Sequence, residues 1–284
     1  DAEHPDHRLS RTLTVTDLIA LGVGAIIGTG IFVLIGTATV GDAVRLGAGP
    51  GITLSFLLSG LACVLAALCY AEFAAMIPVS GSAYTYSYAT LGEFIAWITG
   101  WNLILEYGVA SVAVAIGWSG YFNKLLQIAG IYLPDWATHA PGGPEGGVIN
   151  LPAMIIVLLC TWMLVVGIKE SARITTIIVV IKLVVIGFFI AVGADQVDTA
   201  NWSPFMPNGF AGVGAAAAIV FFAYIGFDAV STTAEEARNP QRDIPIGIIA
   251  SLGICTLLYL AVAAILTGMI PWQKIDVNAP IADA

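Results

Sequence analysis

Two ionisable side chains sit deep inside otherwise apolar runs of this 284-residue chain, Glu106 and Lys182. Placing such a group at the middle of a bilayer costs at least ~2.5–3.5 kcal/mol, so it must face a protein interior and have a partner or a purpose there. Two readings follow. The two residues could form a buried ion pair that fixes helix packing. Alternatively Lys182 could carry an exchangeable proton, because desolvation disfavours a charged ammonium. The second reading is preferred for Lys182, and Glu106 is the weaker proton-coupling candidate.

Two further stretches offer chemistry from the backbone itself. Asp17 to Val40 is apolar enough to cross a membrane, yet Gly28-Thr29-Gly30 lies at its centre, where two glycines weaken a helix. Phe222-Ala223-Tyr224-Ile225-Gly226-Phe227-Asp228 repeats the anomaly later in the chain, and Asp228 is expected to cap a restarted helix through its side-chain oxygen. Gly28 and Gly226 are therefore the expected helix breaks. In lipid a broken ladder leaves amides and carbonyls unpaired at several kcal/mol each, so it survives only where protein, ion or ligand takes them up. A half-helix starting at Thr29 presents free amides and a positive dipole end to an anion. The half-helices ending near Ile26 and near Phe222 to Ile225 present carbonyls to a cation. A ligand with a carboxylate and an ammonium a few Å apart satisfies both, and that is an α-amino acid. Side-chain discrimination would then fall to residues such as Phe222, Tyr224 and Ala110.

The elements that must hold these groups are membrane helices. With 58% hydrophobic and only 10% charged residues, the composition lies far from the roughly one-quarter charged of soluble domains. Seven apolar runs have lengths that can cross a bilayer, at about 17–40, 51–77, 94–122, 150–168, 172–194, 211–234 and 245–270. Short-loop cations set orientation: Arg8, Arg11, Lys169, Arg173, Arg238 and Arg242 on one side outnumber Arg45, Lys124 and Lys274 on the other, which favours a cytoplasmic N-terminus. Counted from the membrane edge at helical rise, Gly28, Glu106, Lys182 and the second break all fall ~18 Å deep. Residues 78–93 are expected to form a short interfacial helix or turn, and 124–149 an irregular external loop rich in Pro and Gly. The charged connection from Glu235 to Pro245 reads either as a solvated, salt-bridged loop with Pro245 starting the seventh span, or as a gate. Two interrupted spans separated by four intact ones predict an inverted five-helix repeat.

Several function classes are excluded on composition and pattern. The net charge of −9 gives no basic face for nucleic acid. Cys63, Cys69, Cys160 and Cys255 all lie in apolar runs and behave as small hydrophobes, so no disulfide framework, metal site or cofactor is expected. His4, His7 and His139 lie outside the spans, and no nucleophile–base, metal-ligand or phosphate-loop pattern points to an enzyme. Gly22-Val-Gly24-Ala-Ile-Ile-Gly28 nearly spells a dinucleotide fingerprint, but its third glycine is one position late and no strand precedes it. Gly24 and Gly28 also form a GxxxG that can serve helix packing alone. A seven-span receptor or retinal protein is disfavoured by the inferred N-terminal side and by a membrane lysine in span five rather than the last.

Gly24-Ala-Ile-Ile-Gly28-Thr-Gly30-Ile-Phe, Cys69-Tyr-Ala-Glu72-Phe, Gly81-Ser-Ala-Tyr84-Thr-Tyr86-Ser-Tyr88, Gly92-Glu-Phe-Ile-Ala-Trp97 and Glu236-Ala-Arg-Asn-Pro240, in this order, resemble the amino acid–polyamine–organocation superfamily. Within it the chain is most similar to the cationic amino acid transporters and their bacterial relatives. The resemblance implies an all-α membrane protein of inverted five-helix-repeat fold with discontinuous first and sixth spans, working by alternating access. It implies that a substrate carboxylate meets Thr29, Gly30 and Ile31, and its ammonium the carbonyls of Ile26, Phe222, Ala223 and Ile225, with Phe222 shielding the ligand. It also implies that Lys182 replaces a coupling sodium and carries the proton. Relatives have about twelve spans, so the expected organisation is a cytoplasmic segment 1–16, a first repeat 17–194, an external loop 195–210, two helices of the second repeat 211–270 and an external segment 271–284 of a longer carrier. The expected activity is symport of L-amino acids with protons across the plasma (inner) membrane, with exchange of amino acids or polyamines as the alternative.

Overall fold

A computed structural model describes residues 11–142, 146–166, 171–277 and 279–284. His4, His7, Arg8 and Lys169, used in the sequence arguments above, lie outside the described residues, and of Arg173 only the backbone is described. The described chain is helical. Its only strand-like pairings are two isolated bridges, Leu13 with Ala237 and Gly41 with Leu46.

Helix α1 (Val15–Ile26) begins in a reciprocal cap: the Asp17 amide reaches the Thr14 hydroxyl oxygen, and the Thr14 amide donates to the Asp17 carboxylate at 2.9 Å. After a break at 27–29 the chain resumes as a π-helical turn (Gly30–Leu34) that runs into α2 (Ile35–Val40), and the two parts meet at 42°. In the turn beyond α2, Asp42 accepts the amides of Val44 and Arg45 at 2.8 and 2.7 Å, and these donors hold its carboxyl below the usual carboxylate range.

There follow α3 (Ile52–Met76), the short α4 (Ser82–Leu91), α5 (Glu93–Ile128), α6 (Leu151–Val166), α7 (Ser171–Gly193), α8 (Gly209–Val220), α9 (Pro240–Met269) and the terminal turn α10 (Pro280–Asp283). Apolar runs of this length close every backbone bond internally as helices, which is what lipid demands. Five stretches are long and apolar enough to cross a membrane, six with the bent pair counted as one.

The run at 150–168 is described as a helix over Leu151–Val166, and 167–170 lie outside the described residues. Two expectations are corrected. The third span extends to Ile128, five residues into the expected loop. Finally, α9 starts at Pro240, so Pro245 lies inside the helix instead of opening it. Asn239 and Pro240 form that start, the Asn239 amide donating to Asp243 at 3.2 Å.

The core lies where α1, α3 and α9 meet the sixth run. Phe56, Tyr224 and Tyr259 are fully buried there and their rings meet edge-on or tilted at centroid distances of 5.3 to 6.4 Å. Small residues bring the backbones close, as in membrane bundles generally. A Cβ on Gly22 would lie 2.5 Å from the Ser251 hydroxyl. Ser55 and Ser59 donate to the carbonyls of Val213 and Ala217 at 2.9 and 2.7 Å, tying α3 to α8.

Candidate functional site

The first interruption is a change of backbone state within three residues. Ile27 is extended (φ −73°, ψ 103°), Thr29 is helical again (φ −53°, ψ −27°), and the Ile35 amide reaches back to Gly30, a π-type bond. Such turns recur at functional sites in helices. Phe32 is the first to reach back over the restart, to the Gly28 carbonyl at 3.5 Å. The amides of Thr29, Gly30 and Ile31 precede it, in the place where a helix start lacks intrahelical acceptors.

The second interruption is sharper. Beyond α8 a 3-10 turn (Phe221–Tyr224) leads to extended Ile225 (φ −57°, ψ 135°), then to Gly226 at φ +112°, a left-handed state that favours glycine, and then to a second 3-10 stretch (Phe227–Thr233).

The two interruptions lie face to face. A Cβ on Gly30 would fall 2.2 Å from the Ala223 Cα, and one on Gly226 would fall 2.8 Å from the Ala25 carbonyl oxygen. By contrast a Cβ on Gly28 would meet nothing within 4 Å, so open space adjoins the first interruption.

Two side chains use the exposed carbonyls. Lys182 on α7 donates to Ile27 at 2.9 Å and to Gly24 at 3.4 Å. The Tyr259 hydroxyl on α9 lies 3.0 Å from the Ile26 carbonyl and 2.9 Å from that of Ala223. One phenol therefore sits between two of the four carbonyls assigned above to a ligand's ammonium. The Phe222 carbonyl accepts the Ile225 amide at 3.2 Å. Tyr224 faces away, its hydroxyl donating to Phe56 at 2.9 Å in the core, so it does not discriminate side chains as expected. Phe222 is half-buried and lines a cavity of about 450 Å³ with Leu34, Ala113 and Ile219. Thr29 is buried; a Cβ on Gly117 of α5 would fall 2.9 Å from its methyl and 3.3 Å from its hydroxyl.

Glu106 does not meet Lys182. Among the described residues the ion pairs are those of Lys124 with Asp276 and Asp283. Asp228 does not cap the restarted helix either, since no side-chain cap bond forms there. It is buried, and its carboxylate accepts the hydroxyls of Ser82 at 3.1 Å and Tyr107, the neighbour of Glu106, at 3.0 Å. The contacts of Tyr107 and Ser82 with Asp228 went unseen in the sequence, as did that of Tyr259 with the two interruptions. A signal existed for Tyr259: a tyrosine in the apolar run of α9 must find a partner for its hydroxyl.

Removing that hydroxyl leaves two carbonyls facing each other without a donor. Losing the partner of a buried polar group costs about 1–3 kcal/mol. Tyr259→Phe in the full-length protein is therefore expected to raise the transport KM about tenfold while the maximal rate falls less than threefold. An unchanged KM would reduce the hydroxyl to an anchor for α9.

Helical spans with a paired interruption at their centre, carbonyls held by an ammonium and a phenol, and space beside the amides define a multi-pass membrane protein built around a small-molecule site. The family model of amino acid permeases matches residues 13–283, and the chain belongs to that family. It is 52% identical over 283 residues, all of this chain, to a methylthioribose transporter of Bacillus subtilis (strain 168), of which this covers 60%. It is 56% identical over 277 residues to the branched-chain amino acid permease BcaP of the same organism, covering 96% of this chain and 58% of that one. It is 43% identical over 281 residues to the chloroplastic cationic amino acid transporter 9 of Arabidopsis thaliana, covering 97% and 48%. The chain thus spans roughly half to three-fifths of the length of these relatives, which are transporters, not enzymes.

Proposed function

We propose that the full-length protein moves L-amino acids across the plasma (inner) membrane by alternating access, with the two interruptions receiving the substrate headgroup and the N-terminus in the cytoplasm. The amides of Thr29, Gly30 and Ile31 take the carboxylate, and the second interruption, at Phe222, Ala223 and Ile225, takes the ammonium together with Ile26. Tyr259 shares two of those carbonyls, Ile26 and Ala223, so it sets how much acceptor capacity the ammonium finds. An inverted repeat within a twelve-span whole is the organisation this reading assumes.

Coupling to protons is assigned to Lys182. The observation that carries this assignment is the seating of its ammonium on the carbonyls of Gly24 and Ile27, the last turn of α1 and the first residue of the break. A positive charge there supports the conformation of the break, and its loss on deprotonation removes the charge assistance from both bonds and weakens them. Glu106, next to the Tyr107–Asp228 contact, is the weaker participant.

Uptake of labelled amino acid into proteoliposomes, with and without an imposed inward proton gradient, tests the coupling. Accumulation driven by the gradient supports symport. Uptake that ignores the gradient but requires internal amino acid would instead establish an exchanger. A second substrate reading comes from the relative named a methylthioribose transporter, 52% identical across the whole chain, and methylthioribose belongs in the same uptake panel.

A further inference from the structure

A cavity of about 740 Å³ opens at the end of the bundle that carries the loop after α5. Its lining includes Val33 and Gly117, and a Cβ on Gly117 would lie 2.9 Å from the side chains of both Thr29 and Val33. The same lining includes Lys124 of α5, Asp276 and Ala279. One cavity therefore borders both the neighbours of Thr29 at the first interruption and the contact between α5 and the segment that carries Asp276.

That segment is seated closely on the second half of the first span. A Cβ on Gly36 of α2 would fall 3.0 Å from the Asp276 carbonyl oxygen, 3.0 Å from the Val277 Cα and 3.2 Å from the Pro280 ring. The absent side chain lets the strap lie flat on α2. Lys124 reaches Asp283 at 2.6 Å and Asp276, which lines the cavity with it, at 3.9 Å. These side chains are about one-third exposed. One cation thus joins the two walls of the cavity, and it bonds to the wall that rests on the interrupted span.

We propose that Lys124 is a clasp: its ammonium, shared by Asp283 and Asp276, holds the 271–283 strap against α5, and breaking these pairs is a step in opening the passage to Thr29. Exposed pairs are individually weak and screened by salt, so the clasp biases an equilibrium and does not lock it. This suits a step that must reverse in every cycle. The inference concerns access alone and holds whichever substrate passes.

The test is maleimide labelling of Val33→Cys in the cavity lining. It is made in the full-length protein in nanodiscs, where both faces are reachable, with the exposed Cys69 and Cys160 changed to serine. Lys124→Ala is expected to raise the labelling rate about threefold to tenfold. Exchanging the charges, Lys124→Asp with Asp283→Lys, is expected to return it towards the parent rate. Raising salt to 1 M should speed labelling of the parent and leave Lys124→Ala unchanged. Labelling of Lys124→Ala at the parent rate would overturn the proposal, as would salt acting equally on both. The salt titration of the parent needs no variant at Lys124, so a folding defect there leaves the question answerable: a parent rate insensitive to salt also rejects the clasp.

Discussion

Lys182→Ala is expected to abolish accumulation of substrate against its gradient, reducing the inside-to-outside ratio to about one, while the protein still reaches the membrane. The ammonium donates to the carbonyls of Ile27 and Gly24, and both lose that donor when it is removed. At about 1–3 kcal/mol for each buried group left unmade, the conformation of the break is weakened by enough to change its population tenfold or more. Lys182→Arg separates structure from coupling. A guanidinium keeps the charge and the donors but does not release its proton, so exchange of internal for external amino acid should persist while gradient-driven uptake disappears. Full proton-driven uptake by Lys182→Ala, measured in proteoliposomes, would remove this residue from the mechanism.

The second large effect is expected from a single methyl group. Gly30→Ala places a Cβ 2.2 Å from the Ala223 Cα and 2.3 Å from its Cβ, both on the opposing interruption. Because the nearest atoms include backbone, a flexible side chain cannot yield to it, and the two interrupted segments must move apart. Overpacking costs about 1–3 kcal/mol, and a misplacement of ~1 Å at a positioning site costs on the order of a hundredfold in rate. Transport should fall about a hundredfold, with a lowered melting temperature in detergent. Gly28→Ala, two residues earlier, meets nothing within 4 Å and should melt like the parent protein. Equal melting of the two variants would mean that the close crossing at Gly30 is not what holds the interruptions together.

Some of this arrangement is legible in the chain because membranes punish exceptions. A lysine, a glutamate and mid-span glycines stand out against uniformly apolar surroundings, and their depth follows from counting residues at helical rise. Long apolar runs give the helices for the same reason. What could not be read is which groups face each other across the bundle. Asp228 looks locally like a helix cap, but the hydroxyls of Ser82 and Tyr107, contributed by helices far away in sequence, reach its carboxylate. Tyr224 and Tyr259 are both tyrosines in apolar runs, yet one serves the core through Phe56 and the other bridges the interruptions. Only the rotation of each helix about its axis decides this, and no local pattern records that rotation. Pro245 misleads for a related reason, since the helix is started by Asn239 and Pro240 five residues earlier.

The central claim is that two facing interruptions of the backbone receive the two charges of an amino acid headgroup. Its most direct test is calorimetric binding to the full-length protein of an L-amino acid, its methyl ester, its N-acetyl derivative and methylthioribose. Binding of the unmodified amino acid, with loss of at least a hundredfold in affinity on blocking either the carboxylate or the ammonium, is the predicted result. Equal binding of the blocked derivatives, or tight binding of methylthioribose with none of the amino acid, would contradict it.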